Sequence, residues 1–148
     1  MKYEPLEFIS NQRALEIMKN GTIDELRVLP FSMGEYCDDW KFAQNLCVKL
    51  LNHSDEQVRA NAVCGLSYIA RNHRMLDKKQ IENLVFRIFK ASADKHCEEK
   101  IREAIHDIYI FMKWRPSLRI LPHWIEFKLH SLPDWIEYIK LSIKSLIR

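Results

Sequence analysis

Three adjacent residues, His53, Ser54 and Asp55, carry the functional groups of a nucleophilic catalytic triad. In such a triad a carboxylate orients an imidazole, and the imidazole takes the proton of the attacking hydroxyl. The side chains of consecutive residues at a turn diverge, however, so they cannot converge on one substrate atom. We therefore interpret this triplet as part of a turn between helices.

Two other groups of residues carry donor atoms that suit metal ions. Glu103 and His106 have the spacing of iron ligands in carboxylate-rich helical bundles, but such sites need a second copy of the pair, which the sequence lacks. His96 and Cys97, even with the distant Cys64, lack the closely spaced ligand pairs of structural zinc. The isolated glycines also give no phosphate-binding loop. We therefore expect no metal, no cofactor and no enzymatic activity.

Basic and aromatic side chains alternate in the last third of the chain, a pattern that suits nucleic acid. The set comprises Lys113, Trp114, Arg115, Arg119, His123, Trp124 and Lys128. Cationic groups bind phosphates, and indole rings stack on bases. In the favoured alternative, Trp114 and Trp124 pack the C-terminal end of the fold while the charged groups stay in solvent. The sequence leaves both interpretations open.

The segment SMGEYCDDW, residues 32–40, is the candidate protein-binding surface. Three acids, Glu35, Asp38 and Asp39, lie beside Tyr36 and Trp40. Tyrosine and tryptophan are frequent anchors at interfaces, and concentrated negative charge steers basic partners. Aspartates also suit the first turn of a helix, where the helix dipole favours acids. A cap alone and a cap combined with an interface both explain Asp38 and Asp39, and we predict that all five residues contact a basic protein.

Length and composition favour one globular, helical domain over residues 1–148. The net charge is +3, but residues 1–57 are net negative and residues 58–148 net positive, so the two parts present different fields to partners. Four scattered cysteines indicate reduced, buried thiols. The sequence has no signal peptide and no apolar stretch of membrane-spanning length, so we expect a cytoplasmic protein that does not bind membranes.

Apolar residues recur at helical spacing, as in Ile101, Ile105 and Ile108. Signals for the start of a helix accompany them. In each, a Ser, Thr or Asp is followed three or four residues later by an acid or a glutamine. These signals are Thr22–Glu25, Ser32–Glu35, Ser54–Gln57, Asp77–Gln80, Ser131–Asp134 and Asp94 before Glu98. The pattern predicts helices near 10–20, 22–29, 38–52, 55–71, 78–91, 95–114, 118–130 and 133–147, with Gly21 and Gly34 at breaks. The amphipathic helix 133–147 is expected to close the end of the domain.

The stretch FAQNLCVKLLNHSDEQVRANAVCGLSYIAR, residues 42–71, resembles a HEAT repeat. The matching positions are Leu46, Leu50, Leu51, Asp55, Val58, Arg59, Ala62, Gly65, Leu66 and Ala70. A shift of about 43 residues, within the range of such repeats, places Val58 and Arg59 on Ile101 and Arg102. The resemblance implies a short α-solenoid of antiparallel helix pairs, a HEAT-like superhelix with atypical N- and C-terminal capping helices. It also implies that Asp55 and Arg59 bind across repeats.

A helical solenoid offers an extended binding surface, which favours a protein-interaction module. The build is also similar to that of bacterial immunity proteins of toxin–immunity systems, including contact-dependent growth inhibition. This resemblance implies an immunity protein that neutralises a cognate toxin, expected to be a basic nuclease domain, by covering its active site. The alternative is a nucleic-acid-binding helical-repeat protein that uses its basic C-terminal half.

Overall fold

Helices form all the regular structure of the computed structural model, which describes residues 4–130, Lys144 and Leu146. They are α1 (Asn11–Asn20), α2 (Ile23–Tyr36), α3 (Trp40–Leu50), α4 (Glu56–His73), α5 (Lys78–Ala91), α6 (Lys95–Met112) and α7 (Leu121–His130). No strand occurs among these described residues, which confirms the all-α prediction. The predicted helix 133–147 lies outside them, apart from Lys144 and Leu146.

The chain divides into two compact units, Met1–Trp114 and Arg115–Arg148. Helices α1 to α6 belong to the first unit and α7 to the second. The expectation of a single domain over residues 1–148 stays a prediction. No helix within the described part of the chain is both long and apolar enough to cross a membrane.

Capping side chains fix where the helices begin. Thr22 and Glu25 form the predicted reciprocal box: the Glu25 N–H donates to Thr22 Oγ1 at 3.2 Å, and the Thr22 N–H donates to Glu25 Oε2 at 2.8 Å. Asp77 and Asp94 cap α5 and α6 as predicted. Helix α4 is capped by Asp55 and not by Ser54, because the Asp55 carboxylate accepts the Val58 N–H. Local sequence therefore determines most helix starts.

Helix α2 continues to Tyr36, so the predicted end at residue 29 is wrong, as is the predicted helix start at Ser32. Pro30 lies inside the helix, where proline normally costs a backbone hydrogen bond. The apolar side chains of Leu29 and Met33 are fully buried, and this burial offsets the loss. The Ser32 hydroxyl donates to the Glu7 carbonyl oxygen at 2.6 Å and so holds the N-terminal segment on α2.

Gly34 does not break the chain, contrary to the sequence prediction, but lies buried where α2 meets α4. A Cβ atom there would lie 2.6 Å from the Tyr68 Cβ and 2.7 Å from the Gly65 carbonyl oxygen. A Cβ atom on Gly65 would in turn lie 2.7 Å from the Pro30 carbonyl oxygen. The two glycines therefore let the backbones of α2 and α4 approach more closely than any side chain permits.

Helix α4 is the centre of the first unit and packs extensively against α2 and α6, as well as against α3. Every residue from 60 to 67 is buried. Helix α1 contacts α2, and α5 contacts α6, so α2, α4 and α6 form a continuous row with α1, α3 and α5 packed on it. Whether this row is a HEAT-like superhelix stays a prediction.

Polar contacts tie successive helices of this row together. The Asn61 side chain donates to the Arg27 carbonyl oxygen at 2.8 Å and accepts a hydrogen bond from Lys100 Nζ at 3.0 Å. Glu56 Oε1 accepts hydrogen bonds from the Ser92 hydroxyl and from the backbone N–H groups of Ala93 and Asp94. These bonds fix the register of α4 against α2 and against the loop before α6.

Candidate protein-binding surface

The five predicted binding residues lie together around the link between α2 and α3. Glu35 and Tyr36 end α2, and Trp40 begins α3. Trp40 is half-buried, whereas the other four residues are exposed. We call residues 35–40 the acidic segment. The structure therefore groups the predicted residues on the surface, although their local contacts differ.

Glu35 is already engaged within the protein. Its carboxylate forms an ion pair with Arg71 on α4. The Arg71 guanidinium also lies over the Tyr68 ring, 4.5 Å from its centroid. The neighbouring Asn72 side chain donates to the Gly34 carbonyl oxygen at 3.0 Å. Glu35 thus joins the ends of α2 and α4, and its charge is partly compensated before any partner binds.

Tyr36 and Asp39 also have structural contacts. The Tyr36 hydroxyl donates to the Leu6 carbonyl oxygen at 2.9 Å, and its ring meets Phe8 edge-on. The Asp39 carboxylate accepts the Phe42 N–H at 3.1 Å and caps α3, as the sequence analysis allowed. The Tyr36 side chain remains 42% exposed, so it can hold the N-terminal segment and still contact a partner.

Asp38 is the acid of the acidic segment that makes no specific contact with a described residue. It is exposed and makes no hydrogen bond or ion pair with any residue in the described part of the chain. Trp40 follows Asp38 by two positions in the sequence. Lys41 Nζ lies 5.3 Å from the centroid of the Trp40 ring. An uncompensated carboxylate next to an aromatic ring is well suited to a basic partner.

Cys37 fixes the backbone within the acidic segment. Its Sγ lies 3.4 Å from Asn11 Oδ1 and 3.3 Å from the Asp39 carbonyl oxygen, so the single thiol proton is shared between two acceptors. Burial raises the pKa of the Cys37 thiol, which keeps it protonated and able to donate. His73 Nε2 lies 2.9 Å from the Cys37 carbonyl oxygen. The shape of the segment is therefore preformed by contacts with α1 and α4.

A second row of acids, which the sequence analysis missed, runs along α6. Glu99, Glu103 and Asp107 are exposed at successive i, i+4 positions, and none has a partner among the residues described by the structure. Ile110, one turn further, is 67% exposed. The signal was present in the sequence, because i, i+4 spacing places side chains on one helix face. We call Glu99, Glu103 and Asp107 the α6 acid row.

The fold is similar to that of a chain in the crystal structure of a CDI complex from Cupriavidus taiwanensis LMG 19424. The TM-score is 0.64, and the similarity covers 75% of this chain and 97% of that chain. The two sequences are 21% identical, so the likeness concerns the fold. No protein-family model matches this chain, and no curated protein does.

The triad-like residues at the start of α4 have structural contacts. His53 Nδ1 accepts the Asp55 N–H at 3.0 Å, and the Asp55 carboxylate binds Arg27 on α2. Arg59 donates from Nη1 to the carbonyl oxygens of His53 and Ser54 at 2.8 and 2.9 Å. Asp55 therefore reaches the earlier helix α2, and whether this is a contact across HEAT repeats stays a prediction. Arg59 instead satisfies carbonyl oxygens of the turn before its own helix.

No group of three or more potential metal ligands occurs among the described residues. Glu103 belongs to the exposed α6 acid row, while His106 is half-buried. The Cys97 and Cys64 thiols are buried, and burial raises the pKa of both, to about 12 for Cys64.

The tryptophans of the basic region pack against other aromatic rings. Trp114 meets Tyr109 edge-on at 5.7 Å, and Lys78 Nζ lies 5.8 Å from the Trp114 ring centroid. In the second unit, Trp124 stacks on Phe127 at 5.7 Å. Rings held in this way favour the packing interpretation of this region over base stacking.

Proposed function

We propose that this chain is an immunity protein of a contact-dependent growth inhibition system, which binds and neutralises a cognate toxin. The similarity to a chain of a CDI complex is the observation that carries the proposal, because it spans 97% of that chain. On this proposal the protein is a non-enzymatic inhibitor that acts in the cytoplasm, and its partner is a protein.

Charge supports a basic partner. Asp38 and the α6 acid row present carboxylates that the described part of the protein leaves uncompensated. Like charges at i, i+4 destabilise a helix by about 0.2–0.5 kcal/mol per pair, so the row lowers the stability of α6 in the free protein. A positively charged toxin surface compensates this repulsion on binding.

The mechanism we propose is a stoichiometric block. A toxin that acts on nucleic acid needs a basic surface to bind phosphates, and an acidic protein surface competes for the same groups. The acidic segment is preformed by the contacts of Glu35, Tyr36 and Cys37, which lowers the ordering cost of association. The inhibitor therefore needs no catalytic group of its own.

The direct test uses the cognate toxin domain, which the proposal expects to be encoded beside this gene. Cells that produce the toxin domain should survive when this protein is co-produced, and the purified pair should form a stable complex in analytical ultracentrifugation. Toxin activity in vitro should fall in proportion to the amount of protein added and reach zero at saturation. Full toxin activity in the presence of excess protein would refute the proposal.

A further inference from the structure

An apolar groove of about 470 Å³ lies between α1 and α3. Leu15 and Met18 from α1 and Phe42 and Leu46 from α3 form its apolar lining. Leu15 is 54% exposed, although the same helix buries Ala14 and Ile17 completely or nearly so. This volume falls within the range of small-molecule sites in proteins.

Two lysines also line the groove, and neither has a counter-charge among the residues that the structure describes. Lys19 lies in the last turn of α1, and Lys49 lies in the last turn of α3. Both are exposed, and neither forms an ion pair or a hydrogen bond with a residue that the structure describes. By contrast, Lys41 on α3 pairs with Asp77 at 3.9 Å.

The helix dipole gives a partial reason for these lysines, because a cation near a helix C-terminus is favourable. It does not explain why both cations line one groove whose other walls are mostly apolar. Asn45, which also lines the groove, adds an exposed amide without a hydrogen bond among the described residues. The groove thus combines an apolar surface with cationic and amide donors.

We propose that the α1–α3 groove binds the anion of a medium-chain fatty acid. The alkyl chain lies against Leu15, Phe42 and Leu46, and burial of both surfaces drives binding. The carboxylate accepts hydrogen bonds from Lys19 and Lys49, whose flexible side chains reach across the groove mouth. This site does not depend on the proposed immunity function, since it uses none of the acidic residues.

The test is calorimetric titration of the full chain with dodecanoate below its micelle concentration. We expect saturable binding at one site. The double variant Lys19→Gln, Lys49→Gln should bind about tenfold more weakly or worse, because two charge-assisted hydrogen bonds are lost. The matched control is Lys79→Gln, Lys95→Gln, which removes two exposed lysines outside the groove and should bind like the parent.

Two further measurements separate this site from non-specific apolar adhesion. Dodecanol has the same alkyl chain without the charge and should bind about tenfold more weakly than dodecanoate. Leu15→Asn changes an exposed groove residue and should weaken dodecanoate binding while the melting temperature stays unchanged. Absence of saturable binding, equal binding by the Lys19/Lys49 variant and the parent, or equal affinity for dodecanol would overturn the proposal.

Discussion

The Asp55 carboxylate joins two helices at once. Its Oδ2 accepts a hydrogen bond from Arg27 Nη2 on α2 at 2.8 Å, and its Oδ1 accepts the Val58 N–H of α4 at 2.9 Å. The same side chain therefore caps α4 and pairs that helix with α2. Since α2 and α4 also meet through Gly34 and Gly65, the ion pair is a second link between the same two helices.

The two roles of Asp55 can be separated by substitution. Asp55→Ala removes both the cap and the ion pair and should lower the free energy of unfolding by about 0.5–2 kcal/mol, the usual effect of losing an N-cap. Asp55→Asn keeps a capping oxygen and loses only the charge. It should lower the free energy of unfolding less than Asp55→Ala does, because partly exposed ion pairs contribute about 0–1 kcal/mol. Urea denaturation measures both, and equal losses would show that the cap contributes nothing.

Acid should destabilise the protein through the same region. The hydrogen bond from Arg27 lowers the pKa of Asp55, and hydrogen bonds from backbone N–H groups lower the pKa of Glu56 and Asp94. A lowered pKa in the folded state means that the stabilisation is complete above the unfolded pKa of about 4. This stabilisation is lost as the pH falls through the pKa values that these carboxyl groups have in the folded state. We expect the melting temperature to fall below about pH 4, and to fall less steeply in Asp55→Asn.

The sequence predicted those features that depend on a few neighbouring residues. The capping box of Thr22 and Glu25 and the cap of Asp94 lie within one helical turn, so their residue types suffice. The predicted end of α2 was wrong because Pro30 is a local helix breaker. The helix tolerates Pro30 because it packs against α4, where it meets Gly65. Such distant burial cannot be deduced from the segment itself.

The candidate surface shows the same division. Adjacent positions in the chain made the grouping of the acidic segment predictable. The contacts of Glu35 and Tyr36 were not predictable, because their partners Arg71 and Leu6 come from distant parts of the sequence. The α1–α3 groove has no sequence signature either, since it exists only through the relative placement of two helices.

The close contact of α2 and α4 makes a specific prediction for its glycines. Replacing a helical glycine by alanine normally stabilises a protein by up to about 1 kcal/mol. Here Gly65→Ala would place a Cβ atom 2.7 Å from the Pro30 carbonyl oxygen, and Gly34→Ala one at 2.6 Å from the Tyr68 Cβ. Both variants should therefore lose about 1–3 kcal/mol of unfolding free energy through overpacking.

Chemical denaturation tests this prediction, with Asn83→Ala on the exposed face of α5 as the control for helix propensity. The control should be neutral or slightly stabilising. A stability gain in Gly34→Ala or Gly65→Ala would mean that the two helices can move apart without cost, and the proposed role of the glycines would be wrong.

A buried hydrogen bond between α5 and α6 gives a further test. The Tyr109 hydroxyl donates to Glu82 Oε1 at 2.6 Å, and both side chains are about 5% exposed. Burial and the bond to Glu82 raise the pKa of Tyr109, so the phenol stays protonated. Tyr109→Phe should lower the free energy of unfolding by about 1–3 kcal/mol because a buried hydrogen bond is lost. Tyr36→Phe removes an exposed hydrogen bond and should cost clearly less in the same thermal denaturation series.

The final prediction concerns Asp38, which is the most informative residue of the acidic segment. Glu35 pairs with Arg71 and Asp39 caps α3, so substituting either one disturbs the fold as well as the surface. Asp38 has no such contact in the described part of the chain. If the proposed toxin docks here, Asp38→Lys should slow association about tenfold or more at low salt, because attraction becomes repulsion. The effect should shrink as salt increases.

Stopped-flow association with the toxin domain measures this rate, and Glu126→Lys supplies the same charge change on an exposed position of α7. The melting temperature of Asp38→Lys should match that of the parent, which separates binding from folding. Glu103→Lys probes the α6 acid row in the same assay. An unchanged rate for Asp38→Lys together with a slowed rate for Glu103→Lys would move the toxin-binding surface from the acidic segment to α6, since electrostatic steering acts through the charges that face the partner.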